Sequence, residues 1–341
     1  MRFITVILKE ALIMNESMTK SERTAKRTHL FPVIVNKEIS DHIKSWRFIL
    51  LITIIALTCF GSLYSSLTNI NKVAESQGFN SSFLFLNLFT LSDGTLPSFI
   101  VFIGFLGPLL GITLGFDAIN SEQNKGTLSR IMAQPIHRDY LLNAKFLAAL
   151  TVISIMFFVL GFLIMGFGII TTGIPPTEEE FLRIVCFILV SILYVAFWLN
   201  LSILFSIQFR QTATSALACI ATWLFFSVFY HLIVNLISKA NLPSATASPQ
   251  QLIGYQKFVL SLLRIEPGQL FNDATTTPLM PSVRSLGPLS MEQVHGTIPG
   301  LLPLGQSIML VWPQLTGLIA ATVVCFGLSY FSFMKREIRS R

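Results

Sequence analysis

Apolar residues along this chain gather into six long runs, at 47–67, 98–117, 146–170, 182–207, 214–237 and 307–333. Each reaches the roughly twenty residues that a helix needs to cross the hydrocarbon core of a bilayer. A backbone in lipid must satisfy its hydrogen bonds internally, and runs of this length do so as helices rather than as the shorter strands of a barrel. The expected fold is an all-α integral membrane protein with six transmembrane helices. Composition agrees: 52% of the 341 residues are hydrophobic and only 12% charged, with a mean hydropathy of +0.68. A soluble domain carries roughly twice that charge, about 25%. Thirty Phe against four Trp and six Tyr suit lipid-facing and helix-packing positions.

The placement of basic residues orients the runs. If the N-terminus is cytoplasmic, eighteen Lys and Arg fall on the inner side and five on the outer, with Arg183 at a span edge. Short inner loops carry such an excess, so both termini are expected in the cytoplasm. Residues 1–29 form a basic arm without a secretory cleavage pattern, and its apolar part is broken by Lys9 and Glu10. Over 30–46, Val35, Ile39, Ile43 and Trp46 recur at helical spacing, with Lys37, Glu38, Asp41 and Lys44 on the other side. Pro32 suits a first helical turn. One apolar stripe abutting a span predicts an interfacial elbow helix; a helix docked on a partner is the alternative.

Three segments then lie outside. Residues 68–97 are polar. The turn 171–181 holds Glu178, Glu179 and Glu180, read as a solvated acidic loop in preference to a cation site. The long segment 238–306 begins and ends rich in Pro, Gly and Ser. At its centre, 251–272 places Leu252, Tyr255, Phe258, Val259, Leu262 and Leu263 on one face. This predicts a helix on the outer bilayer surface or over the bundle, ended near Pro267 and Gly268. Tyr255, Phe258, Leu262 and Leu263 are its candidate gate or docking residues, because an apolar stripe of that size covers or binds something.

Several chemistries find no support. The spans lack mid-membrane Asp, Glu, Lys, Arg or His, the groups that ion-coupled carriers use as relays. His231 lies toward the outer end of the fifth run, and Asn200 reads as a helix-packing residue. There is no His-Glu-x-x-His, no Gly-x-Ser-x-Gly and no Gly-x-x-x-x-Gly-Lys. No catalytic or metal residue is assigned, and energised work would draw on a partner's ATPase. Cys59, Cys186, Cys219 and Cys325 each fall in a run and suit apolar packing rather than disulfides.

The inner loop 118–145 carries the strongest pattern. Gly126 interrupts the extension of the second span, and Thr127 is placed to cap a new helix. Leu128, Ile131 and Met132 are expected to form an exposed apolar knob, and Pro135 to stop the helix before Arg138 leads into the third span. A short helix with such a ridge suits a groove on another protein, whereas an ordinary connector is the plainer reading.

The run Gly115-Phe-Asp-x-Ile-x-x-Glu-x-x-x-Gly-Thr-Leu128, followed by Pro135-Ile-x-Arg138 and by Ala144-Lys145, resembles the permease subunits of ABC-2-type transporters. Within them it is most similar to the branch holding the nitrous-oxide-reductase maturation permease and the gliding-motility permeases. Weaker support comes from Ile265-Glu-Pro-Gly-Gln-Leu-Phe271 and from the last span's end at Tyr330-Phe-Ser-Phe-Met-Lys-Arg-Glu-Ile338. The resemblance implies a six-helix transmembrane domain over 47–341 in a prokaryotic cell membrane, and a permease rather than an enzyme. It implies a dimer with a second copy or a related permease, surrounded by membrane lipid, and a separate cytoplasmic ABC ATPase subunit that binds ATP and Mg. By position, Glu122, Gly126, Thr127, Leu128 and Pro135 belong to the element that the ATPase grips, with Ile131, Met132 and Arg138 beside them. Export of amphipathic cargo is expected, because the spans offer few groups to replace a polar solute's hydration. The alternatives are mechanical work passed to an extracytoplasmic partner through 238–306, and a membrane-embedded assembly factor or enzyme. No cofactor in this chain and no nucleic-acid partner are expected.

Overall fold

The computed structural model describes residues 30–77, 83–90, 96–133, 137–173, 175–244, 248–281 and 303–335. The basic arm 1–29, Pro135 and residues 282–302 lie outside them. Every regular element among the described residues is helical. A first helix, α1 (Leu30–Ile43), precedes span one, α2 (Trp46–Gln77). A short α3 (Leu84–Thr90) leads to span two, α4 (Phe99–Gly115), which continues through a turn into α5 (Asn120–Asn124) and α6 (Thr127–Met132). Spans three and four are α7 (Arg138–Thr172) and α8 (Glu178–Gln208). Span five comprises α9 (Thr212–Leu224), a π-helical stretch Phe225–Tyr230 and α10 (His231–Ala240). Then come α11 (Pro249–Leu263), α12 (Pro267–Leu279) and span six, α13 (Leu304–Lys335).

Six helices are long and apolar enough to cross a membrane, and they coincide with the six apolar runs. Span four is the hub, packing against spans two, three, five and six. Glycines let span two approach it closely: a Cβ on Gly111 would stand 2.7 Å from the Val195 carbonyl oxygen, and one on Gly115 2.9 Å from that of Leu199. Any side chain there would push the two helices apart, the close approach that small residues permit in membranes. Spans two and four are accordingly well buried within the chain, whereas spans five and six leave most of their surface bare. Long bare apolar faces on Leu217, Leu224, Phe229, Leu232 and Leu236 of span five suit lipid or another protein, not water.

Two outer expectations are corrected. The acidic cluster does not sit in a solvated loop, since it is the first turn of span four. Thr177 caps that helix in a reciprocal box with Glu180, which is buried and accepts a 2.9 Å hydrogen bond from the Phe85 N–H. Carboxylates there meet both orphan amides and the positive end of the helix dipole. The helix expected to end near Pro267 ends at Leu263, and Pro267 opens a second helix, α12, instead of closing the first. Proline fits the first turn of a helix as well as it ends one.

Candidate functional site

The end of the bundle that carries the loop, expected from the charge pattern to be the inner end, is assembled from three separate pieces of chain. Helix α1 carries Lys37, Glu38 and Asp41, span three brings Lys145 two turns from its start, and α5 brings Glu122. Lys145 Nζ stands 2.9 Å from Glu38 Oε2 and 2.8 Å from Glu122 Oε1. Lys37 Nζ reaches Glu38 Oε1 at 2.8 Å, Asp41 at 3.1 Å and Glu122 at 3.8 Å. Lys145 and Glu38 are both buried. Buried ions of this kind hold register more than they add stability, because desolvation consumes most of their attraction. Burial pushes the Glu38 carboxyl up, yet Lys145 and Lys37 outweigh it and hold the group below its ordinary value. Burial likewise works to lower the Lys37 ammonium, and Glu38, Asp41 and Glu122 hold it raised. Nearby, Arg47 Nη1 pairs with Asp117 at 2.6 Å and lies over the Phe116 ring, tying span one to the end of span two.

The loop itself is anchored to span four. Ser206 Oγ accepts from the amides of Ile119 and Asn120, at 2.9 and 3.2 Å, and Asn124 donates to the Arg210 carbonyl at 3.0 Å. Gly126 takes a left-handed backbone, φ 69°, that favours glycine, and it is the residue that caps α6. Thr127 therefore does not cap the helix as expected. It is the first helical residue, and its hydroxyl donates back to the Glu122 carbonyl at 3.1 Å.

The exposed apolar knob is also corrected. Leu128 is 3% exposed and belongs to the chain's own core, with Ile131 half-buried against it. The Met132 side chain and Pro135 lie outside the described residues. What the loop presents outward is Lys125, Gly126 and Arg130, with Arg138 exposed at the start of span three. The structure thus gathers Glu122, Thr127, Leu128 and Ile131 into one anchored unit with a basic outer face. Sequence reading passed over Glu38, because 107 residues separate it from Lys145.

The outer end has two layers. Helix α12 is wedged between spans four and six, and its Phe271 is fully buried and stacked on Tyr194 at 4.5 Å between ring centres. The Arg183 guanidinium, buried inside the protein, bonds Glu179 at 2.7 Å and the Pro278 carbonyl at 2.7 Å, so span four holds the end of α12 directly. Helix α11 sits further out, against the end of span five. Tyr230 donates to the Leu262 carbonyl at 2.7 Å and Tyr255 to the Ser238 carbonyl at 2.9 Å. Of the four candidate residues, Tyr255, Leu262 and Leu263 are half-buried and Phe258 is 42% exposed. Between the layers, buried Glu266 lies 3.0 Å from His231; burial raises its carboxyl and His231 opposes the shift. The buried charges Lys145, Glu180 and Arg183 all sit within two turns or so of a helix start, not at mid-span.

A search among curated proteins finds no match to this chain. A family described as ABC-2 family transporter protein matches residues 33–338, from the first turn of α1 to just past Lys335, where span six ends. That match, the six membrane-capable helices and the anchored inner loop lead to one conclusion: the chain belongs to the ABC-2 family and is the multi-pass permease component of an ABC transporter.

Proposed function

We propose that this permease is an exporter of amphipathic cargo, driven by ATP hydrolysis in a separate cytoplasmic subunit that holds ATP and Mg and grips the α5–α6 loop. The observation that carries the reading is the mounting of that loop. Glu122 joins it to α1 and span three, and Ser206 and Arg210 join it to span four, so a push on the loop moves several helices at once. The gripping contact is basic, through Lys125, Arg130 and Arg138, and complements an acidic groove on the ATPase. The charge asymmetry of the sequence supports this end as cytoplasmic. The bare faces of spans five and six fit a second permease copy or a related one, and lipid.

At the outer end, we read α11, with Tyr255, Phe258, Leu262 and Leu263, as the movable part of a gate. It hangs on span five just beyond the π-helical stretch, and such stretches mark places where a helix changes register at functional sites. Work passed to an extracytoplasmic partner is the second reading. It is favoured by the wedge of α12 between spans four and six, which would carry their motion outward. Reconstitution with the ATPase separates the two readings. Export into vesicles of a fluorescent amphipath that depends on hydrolysis supports the first, and stimulated hydrolysis without movement of any amphipath supports the second.

A further inference from the structure

The two parts of span five are held differently. Its first part, α9, packs on spans two and four, whereas α10 packs on α11, and the π-helical stretch between them meets α12. From Tyr230 onward, span five and α11 form an antiparallel hairpin, tied where Tyr230 meets Leu262 and Tyr255 meets Ser238. This hairpin reaches the fixed part of the outer end, α12, at the junction 264–266.

Glu266 stands at that junction, buried, in the N-cap position of α12. Its side chain caps none of that helix's amides and meets His231 of span five instead. Glu266 Oε2 and His231 Nδ1 are 3.0 Å apart; both atoms are buried, and neither has another hydrogen-bond partner among the described residues. Gly268 leaves the carboxylate its place, since a Cβ there would lie 2.9 Å from Oε1. A carboxylate oxygen and an unprotonated ring nitrogen are both acceptors, so this contact needs a proton between them. The neighbours are engaged elsewhere. Tyr194 and Tyr230 feel the charge of Glu266 from spans four and five, but their hydroxyls donate to the carbonyls of Gly104 and Leu262. Arg264, at the end of α11, lies against Asp273 of α12 and Gln314 of span six.

We infer that His231 and Glu266 form a one-proton latch: with a proton between them the hairpin closes on α12, and without it the hairpin swings out about the π-helical stretch. The half-exposed His231 ring gives the proton a way to water. After its loss the carboxylate would stay buried against an uncharged ring, and a buried ion without its partner is costly, whereas opening hydrates it. The π-helical stretch supplies the hinge, because such stretches occur where a helix changes register. The direction follows from burial, which raises the Glu266 carboxyl above its ordinary value while His231 opposes the shift. A group raised in the closed arrangement holds its proton more tightly there, so its contribution to closure is complete below about pH 4.3 and is lost as pH rises through the raised value. Burial raises Asp273 as well, against Gln269 and Arg264, which makes it the rival for any such response. The latch goes beyond the coupling reading and stands without it.

The test places spin labels at Lys239→Cys, near the end of span five, and at Met309→Cys on span six, both exposed. The full chain, cleared of its native cysteines, is reconstituted in lipid nanodiscs, and the distance is read from about pH 4 to about pH 9. The expected result is a short distance in acid that gives way to one several ångströms longer as pH rises. Glu266→Gln, neutral at every pH, should keep the short distance throughout. His231→Gln leaves the carboxylate without its cation and should move the transition lower by about one pH unit or more. Asp273→Asn should leave the transition where it is. A parent distance indifferent to pH, a transition that survives Glu266→Gln, or one that disappears with Asp273→Asn would overturn the proposal. If Glu266→Gln does not fold, His231→Gln decides, and an unmoved midpoint overturns the latch. The distance is read without the ATPase, so the latch and the coupling reading fail separately.

Discussion

At the inner end, Lys145 draws Glu38 and Glu122 onto one buried ammonium, so α1, α5 and span three meet through charge. At the outer end, Arg183 and Phe271 fix α12 to span four through carbonyl hydrogen bonds and ring stacking, and α11 hangs further out on two tyrosine hydroxyls. The inner end is thus a lock, in which removal of one partner strands the others in a poorly solvating place. The outer end is graded, with a buried inner helix and a peripheral one held mainly by span five. The proposed coupling fits that arrangement, with a stiff point of entry for force and a more loosely held element at the opposite end.

The largest expected effect comes from breaking the lock. Lys145→Met leaves Glu38 and Glu122 buried without their shared cation and should cost about 3–5 kcal/mol, with α1 released from span three. The triple variant Lys145→Met, Glu38→Gln, Glu122→Gln should recover most of that loss. Thermal unfolding in detergent checks both, and a single variant as stable as the parent would show that charge does not hold this end.

Next comes the core side of the loop. Leu128→Ala should destabilise the loop by about 2–4 kcal/mol, because it opens a void where the side chain packs inside the chain. Hydrogen exchange should quicken over α6 while spans two and four stay protected. An unchanged α6 would return Leu128 to the surface.

The pH dependence of the lock follows from the directions of its two shifts. Glu38 is held below its ordinary value, so its contribution is present above about pH 4.3 and is lost as pH falls through the lower folded value. Lys37 is held above its ordinary value, so its contribution is present below about pH 10.4 and is lost only as pH rises beyond it. The elbow should therefore stay docked between about pH 5 and 10 and separate in stronger acid. The distance between spin labels at Asn36→Cys and Arg138→Cys, in a background cleared of the native cysteines, reads this directly. Separation near neutrality would contradict the lock.

The smallest effect belongs to the graded end. Tyr230→Phe with Tyr255→Phe removes bonds of about 1 kcal/mol each and should raise hydrogen exchange in α11 while leaving α12 unchanged. Equal loosening of both helices would mean that the outer end moves as one piece.

The six spans were legible because length and apolarity alone define them; the run at 182–207 lies inside α8, Glu178–Gln208, and the run at 146–170 inside α7, Arg138–Thr172. The contacts at the ends were less so. A Thr-x-x-Glu at 177–180 is a capping signature open to sequence reading, and there composition misled. A six-residue helix shows no periodicity long enough to tell its buried face from its bare one, so the sequence leaves the burial of Leu128 open. The meeting of Glu38 with Lys145 depends on α1 folding back against span three, which no local pattern contains. For the candidate site, sequence supplied Glu122 and the loop, and the structure supplied what they are fastened to.

In the proposed mechanism, force enters at the basic loop between α5 and α6. A photo-cross-linking residue placed at Arg130 and, separately, at Phe258 tests it in membranes that contain the permease and its ATPase. The account expects a cross-link to the ATP-binding subunit from position 130 and none from 258. Capture of that subunit from 258, or from neither position when the assembled complex is shown to hydrolyse ATP, would contradict it.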